Sequence, residues 1–171
     1  MNRVHGALVI GVADLLRRPG NHRDEHLEAV VDGLQVLGSH VPQGAPAVID
    51  LRLESLNEGI VARGSIEAPW VGECRRCLRP IESTLRADVY EVFEDEPVEG
   101  ETSKLDVDRI DLEPVVREAV LLELPLAPLC QEDCAGLCPE CGADRNTSPC
   151  GHVIETRDNR WSALDELRFD E

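Results

Sequence analysis

The stretch Ile49-Asp50-Leu51-Arg52-Leu53-Glu54 decides the fold class, because apolar and charged side chains alternate along it without interruption. A period of two places the apolar side chains on one face of a β-strand and the charged ones on the other. Asn57-Glu58-Gly59 then predicts a turn, and two further alternating segments follow at 60–70 and 81–93. Three such segments with short connections predict an antiparallel meander with one buried face.

A helical pattern follows the meander. Asp111 is a favourable N-cap residue, and Pro114 falls in the first turn, where proline is tolerated. An apolar stripe of helical period then runs to the stop at Pro125, through Leu112, Val115, Val116, Ala119, Val120 and Leu122. We therefore expect an α+β fold, in which an antiparallel β-meander packs with one main helix and carries a small cysteine-rich zinc-binding C-terminal module.

The composition limits the classes of function. The 171 residues include 34 acidic and 17 basic side chains, a formal net charge of −17, and only 3% of the residues are aromatic. This surplus of acid disfavours a broad nucleic-acid-binding surface and binding to an anionic membrane. The apolar stretch 7–16 is short and is broken by Asp14, so we expect a cytoplasmic protein without a membrane span. In that compartment cysteines stay mostly reduced, and disulfides are not expected.

The strongest chemical signal is Cys130-Gln-Glu-Asp-Cys134-Ala-Gly-Leu-Cys138-Pro-Glu-Cys141-Gly142, which places four thiols within twelve residues. Zinc takes four thiolate or imidazole ligands at tetrahedral corners, and the end of this run has the form of a zinc knuckle. We expect one structural zinc bound by Cys130, Cys134, Cys138 and Cys141. Cys150 or His152 could replace Cys130 or Cys134, and four cysteines also suit an iron–sulfur cluster.

The role of a second motif, Cys74-Arg75-Arg76-Cys77, stays open from the sequence. It lies between two predicted strands and not at the strand-to-helix turn of a thioredoxin-like unit, which disfavours a redox role. Cys74 and Cys77 are either structural thiols in a tight hairpin turn or a second metal half-site that needs two more ligands. They could also join Cys138 and Cys141 in a two-knuckle zinc ribbon, which would displace the local set.

Arg75, Arg76 and Arg79 form the densest basic cluster of this acidic chain. They are either solvated turn residues or a small patch for RNA or another partner, since guanidinium groups bind phosphate oxygens bidentately. Residues 91–101, which carry six acidic side chains, predict a solvated loop or an acidic surface for a basic partner. We find no phosphate-binding loop, no nucleophile elbow and no distinct carboxylate pair, so we expect neither an enzyme nor a small-molecule substrate.

The patterns divide the chain into three parts. Residues 1–129 are expected to form the α+β core domain, although the topology of the first 46 residues stays open. Residues 130–152 are expected to form the cysteine-rich zinc-knuckle module. Residues 153–171 are expected to form a helical tail that packs on the core, with Asp158 as its cap and Trp161, Leu164 and Leu167 on one face.

These motifs together resemble the YceD family, the large ribosomal RNA subunit accumulation proteins. Glu73-Cys-Arg-Arg-Cys-Leu-Arg-Pro80 is similar to the first motif of the family, and Leu122-Glu-Leu-Pro-Leu-Ala-Pro-Leu-Cys130 is similar to its second. Asp133-Cys-Ala-Gly-Leu-Cys-Pro-Glu-Cys-Gly142 is similar to the third. Asp158-Asn-Arg-Trp-Ser-Ala-Leu164 is similar to the family's close, with Asn159 where proline is usual. Val12-Ala-Asp-Leu-Leu16, followed by Pro19-Gly20, fits a looser opening motif.

The resemblance implies a bacterial cytoplasmic protein that acts in the synthesis, processing or accumulation of large-subunit ribosomal RNA. It carries over no catalytic residues, so we expect a non-catalytic ribosome-biogenesis factor that binds precursor ribosomal RNA or a ribosomal protein. Some family members have the first CxxC without the C-terminal cysteines, which indicates a stabilising role for that module. The alternative is an acidic adaptor that binds a basic ribosomal protein without touching RNA.

Overall fold

The structure is a computed structural model and describes residues 8–57, 59–148 and 150–152. Within these ranges the chain forms eight strands and two helices. In chain order they are β1 (Val9–Gly11), α1 (Ala13–Leu16), β2 (His22–Ala29), β3 (Ser39–His40), β4 (Ala47–Ser55), β5 (Gly59–Glu73), β6 (Pro80–Glu94), β7 (Ser103–Asp106), β8 (Arg109–Asp111) and α2 (Glu113–Glu123).

The strands form a sheet that curls into a half-barrel, with the order β1-β8-β7-β6-β5-β4-β2 and with β3 paired to β5. The three alternating segments of the sequence are the adjacent antiparallel strands β4, β5 and β6. Leu51 lies opposite Gly64, and Gly64 lies opposite Val89. β6 meets β7 in parallel at Phe93 and Glu94. The antiparallel pairing expected from the period-two pattern is therefore present.

The α+β class predicted from the sequence is wrong, because the chain is mostly β. Strands hold 43% of the described residues and helices 10%. The segments on either side of the meander add β1, β2, β7 and β8 to the sheet, where the sequence pattern showed no clear strand. α2 has 11 residues, which cover part of the sheet but do not make a helical layer.

The core is aliphatic and lies inside the half-barrel. The largest fully buried side chains of the strands include Ile49, Leu53, Ile60, Ile66 and Phe93. Val116 and Val120 of α2 are also fully buried and belong to the same cluster. Burying such side chains contributes roughly 1.5–3 kcal/mol each, so this cluster holds α2 against the sheet.

The main helix begins and ends close to the predicted positions. Leu112 is its N-cap, and Asp111 Oδ1 accepts a hydrogen bond of 2.9 Å from the backbone of Glu113. Leu124 has an extended backbone before Pro125, which ends the helix. The predicted C-terminal helix with Trp161, Leu164 and Leu167 lies outside the described residues. Among the described residues, no helix is long and apolar enough to cross a membrane.

Candidate metal centre

The hairpin of β5 and β6 closes in a turn, residues 74–79, that holds two buried thiols. The backbone of Cys74 donates to Arg79 O at 2.8 Å, and the backbone of Leu78 donates to Cys74 O at 2.8 Å. Leu78 has a φ of 59°, the left-handed conformation that lets the chain reverse within so few residues. Cys74 is 0% exposed and Cys77 is 8% exposed. We call this segment the cysteine turn.

The chain that leaves α2 returns to the cysteine turn and brings two more thiols with it. The backbone of Arg75 donates to Pro128 O at 2.9 Å, and the backbone of Leu137 donates to Arg76 O at 2.9 Å. The guanidinium of Arg76 donates to Cys134 O at 3.0 Å. These bonds, made largely by backbone atoms, fix residues 128–137 against the hairpin whatever their side chains are.

Cys74, Cys77, Cys130 and Cys134 form the first cysteine group, in which the four Sγ atoms all lie within 4.8 Å of one another. The Sγ atoms of Cys74 and Cys134 are 3.8 Å apart, and those of Cys77 and Cys130 are 3.6 Å apart. A disulfide needs about 2.05 Å, whereas four sulfurs placed tetrahedrally about 2.3 Å from a zinc ion lie about 3.8 Å apart. The group therefore has the dimensions of a tetrahedral metal site, and its cysteines are free thiols.

Cys138, Cys141, Cys150 and His152 form the second cysteine group, whose ligand atoms also lie within 4.8 Å of one another. The backbone of Gly142 donates to Cys138 O at 2.8 Å, and its φ of 73° gives the tight turn of the knuckle. Cys138 Sγ lies 3.7 Å from His152 Nδ1. Cys138 is buried, whereas Cys141 and His152 are exposed. Each of the two groups could bind a metal ion.

Asn146 connects the second group's loop to the first group. Its Nδ2 atom donates to Cys134 Sγ at 3.5 Å, and its Oδ1 atom accepts from the backbone of Ala135 at 2.8 Å. In the same loop, Asp144 Oδ2 lies 3.4 Å from the guanidinium of Arg79. The two groups are therefore neighbours that share one network of hydrogen bonds around residues 134–146.

The surroundings of the thiols move their pKa values in opposite directions. Burial raises the pKa of Cys74, but hydrogen bonds from the backbones of Cys130, Cys77 and Arg76 outweigh it and bring that pKa to about 6. The backbone of Cys141 leads the hydrogen bonds that lower the pKa of Cys138 to about 6, against burial. Burial, followed by the neighbouring thiols, raises the pKa of Cys130 to about 12. Each group thus contains a thiol with a lowered pKa, Cys74 in the first and Cys138 in the second, and a bound cation would favour ionisation of its ligands further.

The structure distributes the four ligands of the single predicted zinc site over two groups. Cys130 and Cys134 lie with Cys74 and Cys77, and Cys138 and Cys141 lie with Cys150 and His152. The break falls at Gly136, which has a φ of 73° and packs so closely that a side-chain carbon would lie 3.0 Å from Arg76 O.

One signal in the sequence could have indicated this arrangement. Seven cysteines and His152 make eight ligands, enough for two complete tetrahedral sets. The spacing of the cysteines along the sequence does not show that the β5–β6 hairpin meets the chain after α2. From the sequence, Cys74 and Cys77 could form a metal half-site, and Cys150 or His152 could replace one of the chosen ligands. The structure brings each of these two pairs beside two cysteines of the C-terminal run.

The three arginines of the cysteine turn are exposed, but their surroundings differ. Arg76 donates to the carbonyl oxygens of Cys134 and Glu132, and Arg79 pairs with Asp144. For Arg75 the described residues offer no side-chain hydrogen bond or ion pair. Arg75 lines a cleft of about 740 Å³ beside the cysteine turn. Its guanidinium is therefore the one of the three that is available to a partner.

The chain is similar to proteins of mycobacteria and of a plant. An uncharacterized protein of Mycobacterium tuberculosis (strain ATCC 25618 / H37Rv) is 38% identical over 175 residues, which cover 96% of this chain and 83% of the relative. An uncharacterized protein of Mycobacterium leprae (strain TN) is 33% identical over 171 residues, 94% of this chain and 77% of the relative. The chloroplastic "Large ribosomal RNA subunit accumulation protein YCED homolog 1" of Arabidopsis thaliana is 33% identical over 63 residues, 37% of this chain and 20% of the relative.

The matched region of the family contains both cysteine groups. No solved structure matches the chain. The family model described as "Large ribosomal RNA subunit accumulation protein YceD" matches residues 62–168, which include the cysteine turn, α2 and the C-terminal cysteines. The chain therefore belongs to the YceD family of large ribosomal RNA subunit accumulation proteins.

Proposed function

We propose that this protein is a non-catalytic, cytoplasmic ribosome-biogenesis factor that supports the accumulation of large-subunit ribosomal RNA. Membership of a family described by that role supports the proposal. So does the cysteine turn, an arginine-bearing loop at the end of the sheet whose Cys74 and Cys77 share a group of four thiols with Cys130 and Cys134. In this view residues 130–152 are a metal-stabilised module on the core of residues 1–129, and residues 153–171 are a tail that packs on it.

The metal in both groups is zinc in this proposal. Four ligands complete each tetrahedral shell, so the ions would be structural and would leave no open position for a reaction. Elemental analysis of protein purified without added metal should give about two zinc ions per chain and no iron. About one zinc per chain would mean that only one of the two groups holds an ion. A folded, metal-free protein under reducing conditions would contradict zinc binding altogether.

The proposed contact with RNA is made at the cysteine turn, with Arg75 as its central residue and Arg76 and Arg79 beside it. We expect Arg75→Glu to weaken binding of a precursor large-subunit RNA fragment, because a guanidinium that contacts phosphate is replaced by a repelling carboxylate. In a plot of the logarithm of the binding constant against the logarithm of the salt concentration, the slope should become shallower by about 0.7, the value for one lost contact with a single-strand phosphate. Arg63→Glu is the matched control, since Arg63 is an exposed residue of β5 that pairs with Glu54. Equal binding by both variants would exclude the contact.

The second candidate function is an acidic adaptor for a basic ribosomal protein, without RNA contact. The observation that favours it is the use of Arg76 and Arg79 within the fold, together with the acidic residues that follow in the sequence. Crosslinking in cells, with identification of the bound RNA or protein, separates the two candidates. Crosslinks to ribosomal RNA that disappear with Arg75→Glu support the first, and crosslinks only to ribosomal protein that persist in the variant support the second.

A further inference from the structure

Strand β6 has a long edge that no other strand covers. One edge pairs with β5 along the whole length of β6, Pro80–Glu94. The other edge pairs with β7 only at Phe93 and Glu94. Over residues 80–91 this second edge has no strand partner in the part of the chain that the structure describes. We call it the free edge of β6.

The hairpin hydrogen bonds determine which backbone groups point to the free edge. The backbone of Cys74 donates to Arg79 O across the β5–β6 pair, and backbone groups alternate between the two edges of a strand. The odd-numbered residues of β6 therefore bond to β5. The N–H and C=O groups of the even-numbered residues point to the free edge, and these residues are Glu82, Thr84, Arg86, Asp88 and Tyr90. Among the described residues no hydrogen bond reaches these backbone groups.

An edge of this kind is a template for a further strand. Proteins protect exposed edges by keeping them short, or by placing proline, bulges or charges on them. β6 is 15 residues long, has proline only at its first position, and keeps one continuous register with β5. Tyr90 is 73% exposed on the outer face and offers an apolar contact to a neighbouring side chain. Its protection is the charge of Glu82, Arg86 and Asp88, and among the described residues no strand occupies the position beside it.

The charges around the free edge select the occupant. Residues 80–104 carry eight acidic side chains and two basic ones, Arg86 and Lys104. Arg86 is already paired with Glu67 at 2.8 Å, and Lys104 donates to the carbonyl oxygen of Asp95. Glu82, Asp88 and Glu91 have no ion-pair partner among the described residues. Residues 80–91 thus carry three acidic side chains against Arg86, and five more follow at 94–101, so a strand that adds here meets a net negative charge.

We propose that the free edge of β6 binds an extended, basic segment of another protein as an additional β-strand. Backbone hydrogen bonds to the even-numbered residues give the affinity, and the acidic side chains give the preference for lysine and arginine. This surface begins where the cysteine turn ends, and Glu82 lies both on the free edge and in the cleft that Arg75 lines, but binding here requires no RNA. It supplies the binding surface that the second candidate function needs, and it can coexist with the first.

Amide hydrogen exchange of the full chain tests whether the edge is open. In the free protein, the amides of Thr84, Arg86, Asp88 and Tyr90 should exchange rapidly, whereas those of Leu85, Ala87 and Val89 should be protected by their bonds to β5. A probe peptide of about 12 residues in which lysine alternates with valine should protect the first set. Protection of the first set in the peptide-free monomer would overturn the proposal, because another segment of the chain would then cover the edge.

A pair of substitutions at one position tests the backbone contribution. Thr84→Pro removes a donor from the free edge and keeps every bond to β5, whereas Thr84→Ala removes the same side chain and keeps the donor. We expect Thr84→Pro to bind the lysine–valine peptide at least about tenfold more weakly than Thr84→Ala. If Thr84→Pro fails to fold, a peptide N-methylated on its pairing edge gives the same comparison with the unchanged protein. Equal binding of the methylated and unmethylated peptides would refute strand addition.

The preference for a basic occupant has its own control. A peptide with glutamate in place of each lysine should bind at least about tenfold more weakly at low salt. Equal binding of the two peptides would contradict the choice of occupant. A dimer of the free protein that dissociates in Thr84→Pro would also overturn the proposal, because a second copy would then occupy the edge. None of these results depends on RNA binding, so they leave the test at Arg75 unaffected.

Discussion

Asn146 is the side chain on which the link between the two cysteine groups depends. Its amide donates to Cys134 Sγ and accepts from the backbone of Ala135, so it both orients and polarises a ligand of the first group. Residues that hydrogen-bond to metal ligands contribute strongly to metal affinity. The loop that carries Asn146 ends at Cys150 and His152, so the chain that closes the second group also supports the first.

We expect Asn146→Ala to weaken zinc binding by the first cysteine group about 10- to 100-fold, because Cys134 loses a hydrogen bond to its sulfur. The measurement is a competition titration with a chromophoric chelator under reducing conditions. Ser148→Ala is the matched control, since Ser148 is exposed in the same loop and, within the part of the chain that the structure describes, bonds only through its backbone. Equal zinc affinities for the two variants would exclude a role for Asn146 at the metal.

A second prediction at the residue scale concerns His26 and pH. The hydrogen bond that His26 Nδ1 donates to Asp50 Oδ1, at 2.6 Å, raises the pKa of His26 above its ordinary value of 6.5, and the charges of Asp50 and Glu28 act in the same direction. A raised folded-state pKa stabilises the fold at pH values below 6.5, and this contribution is lost as the pH rises through the folded-state value. An NMR titration should show the raised pKa of His26 and its return toward 6.5 in Asp50→Asn. A His26 pKa that is unchanged by Asp50→Asn would contradict the pairing.

The ligand types could be read from the sequence, but their grouping could not. Four closely spaced cysteines and a knuckle indicate metal binding because thiolates at these spacings can reach one ion. Which cysteines share an ion depends on backbone bonds such as Arg75 to Pro128 and Leu137 to Arg76, which join residues more than 50 positions apart. No local pattern contains those contacts. The sequence pattern also does not show that Arg76 donates a hydrogen bond to Cys134 O and so helps to stabilise the fold.

At the scale of elements, β2 shows why a polar strand escaped the sequence pattern. Its residues, His22–Ala29, are almost all polar, so they lack the apolar half of the alternation. The strand is held by pairing with β4, and its charges meet partners there, as in the 2.8 Å pair of Asp24 and Arg52. Charged side chains on an edge strand also discourage further pairing. β4, β5 and β6 were predictable because each buries one face, which leaves an apolar residue at every second position.

Gly64 in the middle of β5 is required by the close approach of β4. A side-chain carbon at this position would overlap the carbonyl oxygen of Asp50, and the φ of 157° lies at the limit of what other residues adopt. We expect Gly64→Ala to destabilise the protein by about 1–3 kcal/mol through this overlap. Urea unfolding measures the change. Gly11→Ala is the control, because nothing lies within 4 Å of its added carbon, and it should stay within about 0.5 kcal/mol of the unchanged protein.

At the scale of the whole molecule, the first cysteine group connects parts that the sheet alone would leave apart. The core cluster includes the strands and α2, whereas Cys74, Cys77 and Cys134 form a separate small cluster with Ile81, Leu129, Cys130 and Leu137 around them. That small cluster is where the end of the β5–β6 hairpin meets the chain after α2. Its apolar area is small, so a bound metal would contribute much of the free energy that holds the two together.

The two cysteine groups should therefore differ in how easily they release metal and in what their loss does. Cys141 and His152 are exposed, whereas three of the four ligands of the first group are buried. We expect a chelator to remove zinc from the second group first, with the thermal unfolding of the sheet little changed. Removal from the first group should then lower Tm by at least about 5 °C, because residues 128–137 are then held against the hairpin without the metal.

Cys141→Ala and Cys74→Ala separate these effects, since each removes one ligand from one group. Zinc analysis should give about one ion per chain for Cys141→Ala, with Tm close to that of the unchanged protein. Cys74→Ala should show the larger fall in Tm, because the cysteine turn and residues 128–137 are then joined without a metal, by the small apolar cluster and by hydrogen bonds such as Arg75 to Pro128. Equal falls in Tm would mean that the two groups stabilise the fold as a single unit, with Asn146 transmitting the loss of either metal to both.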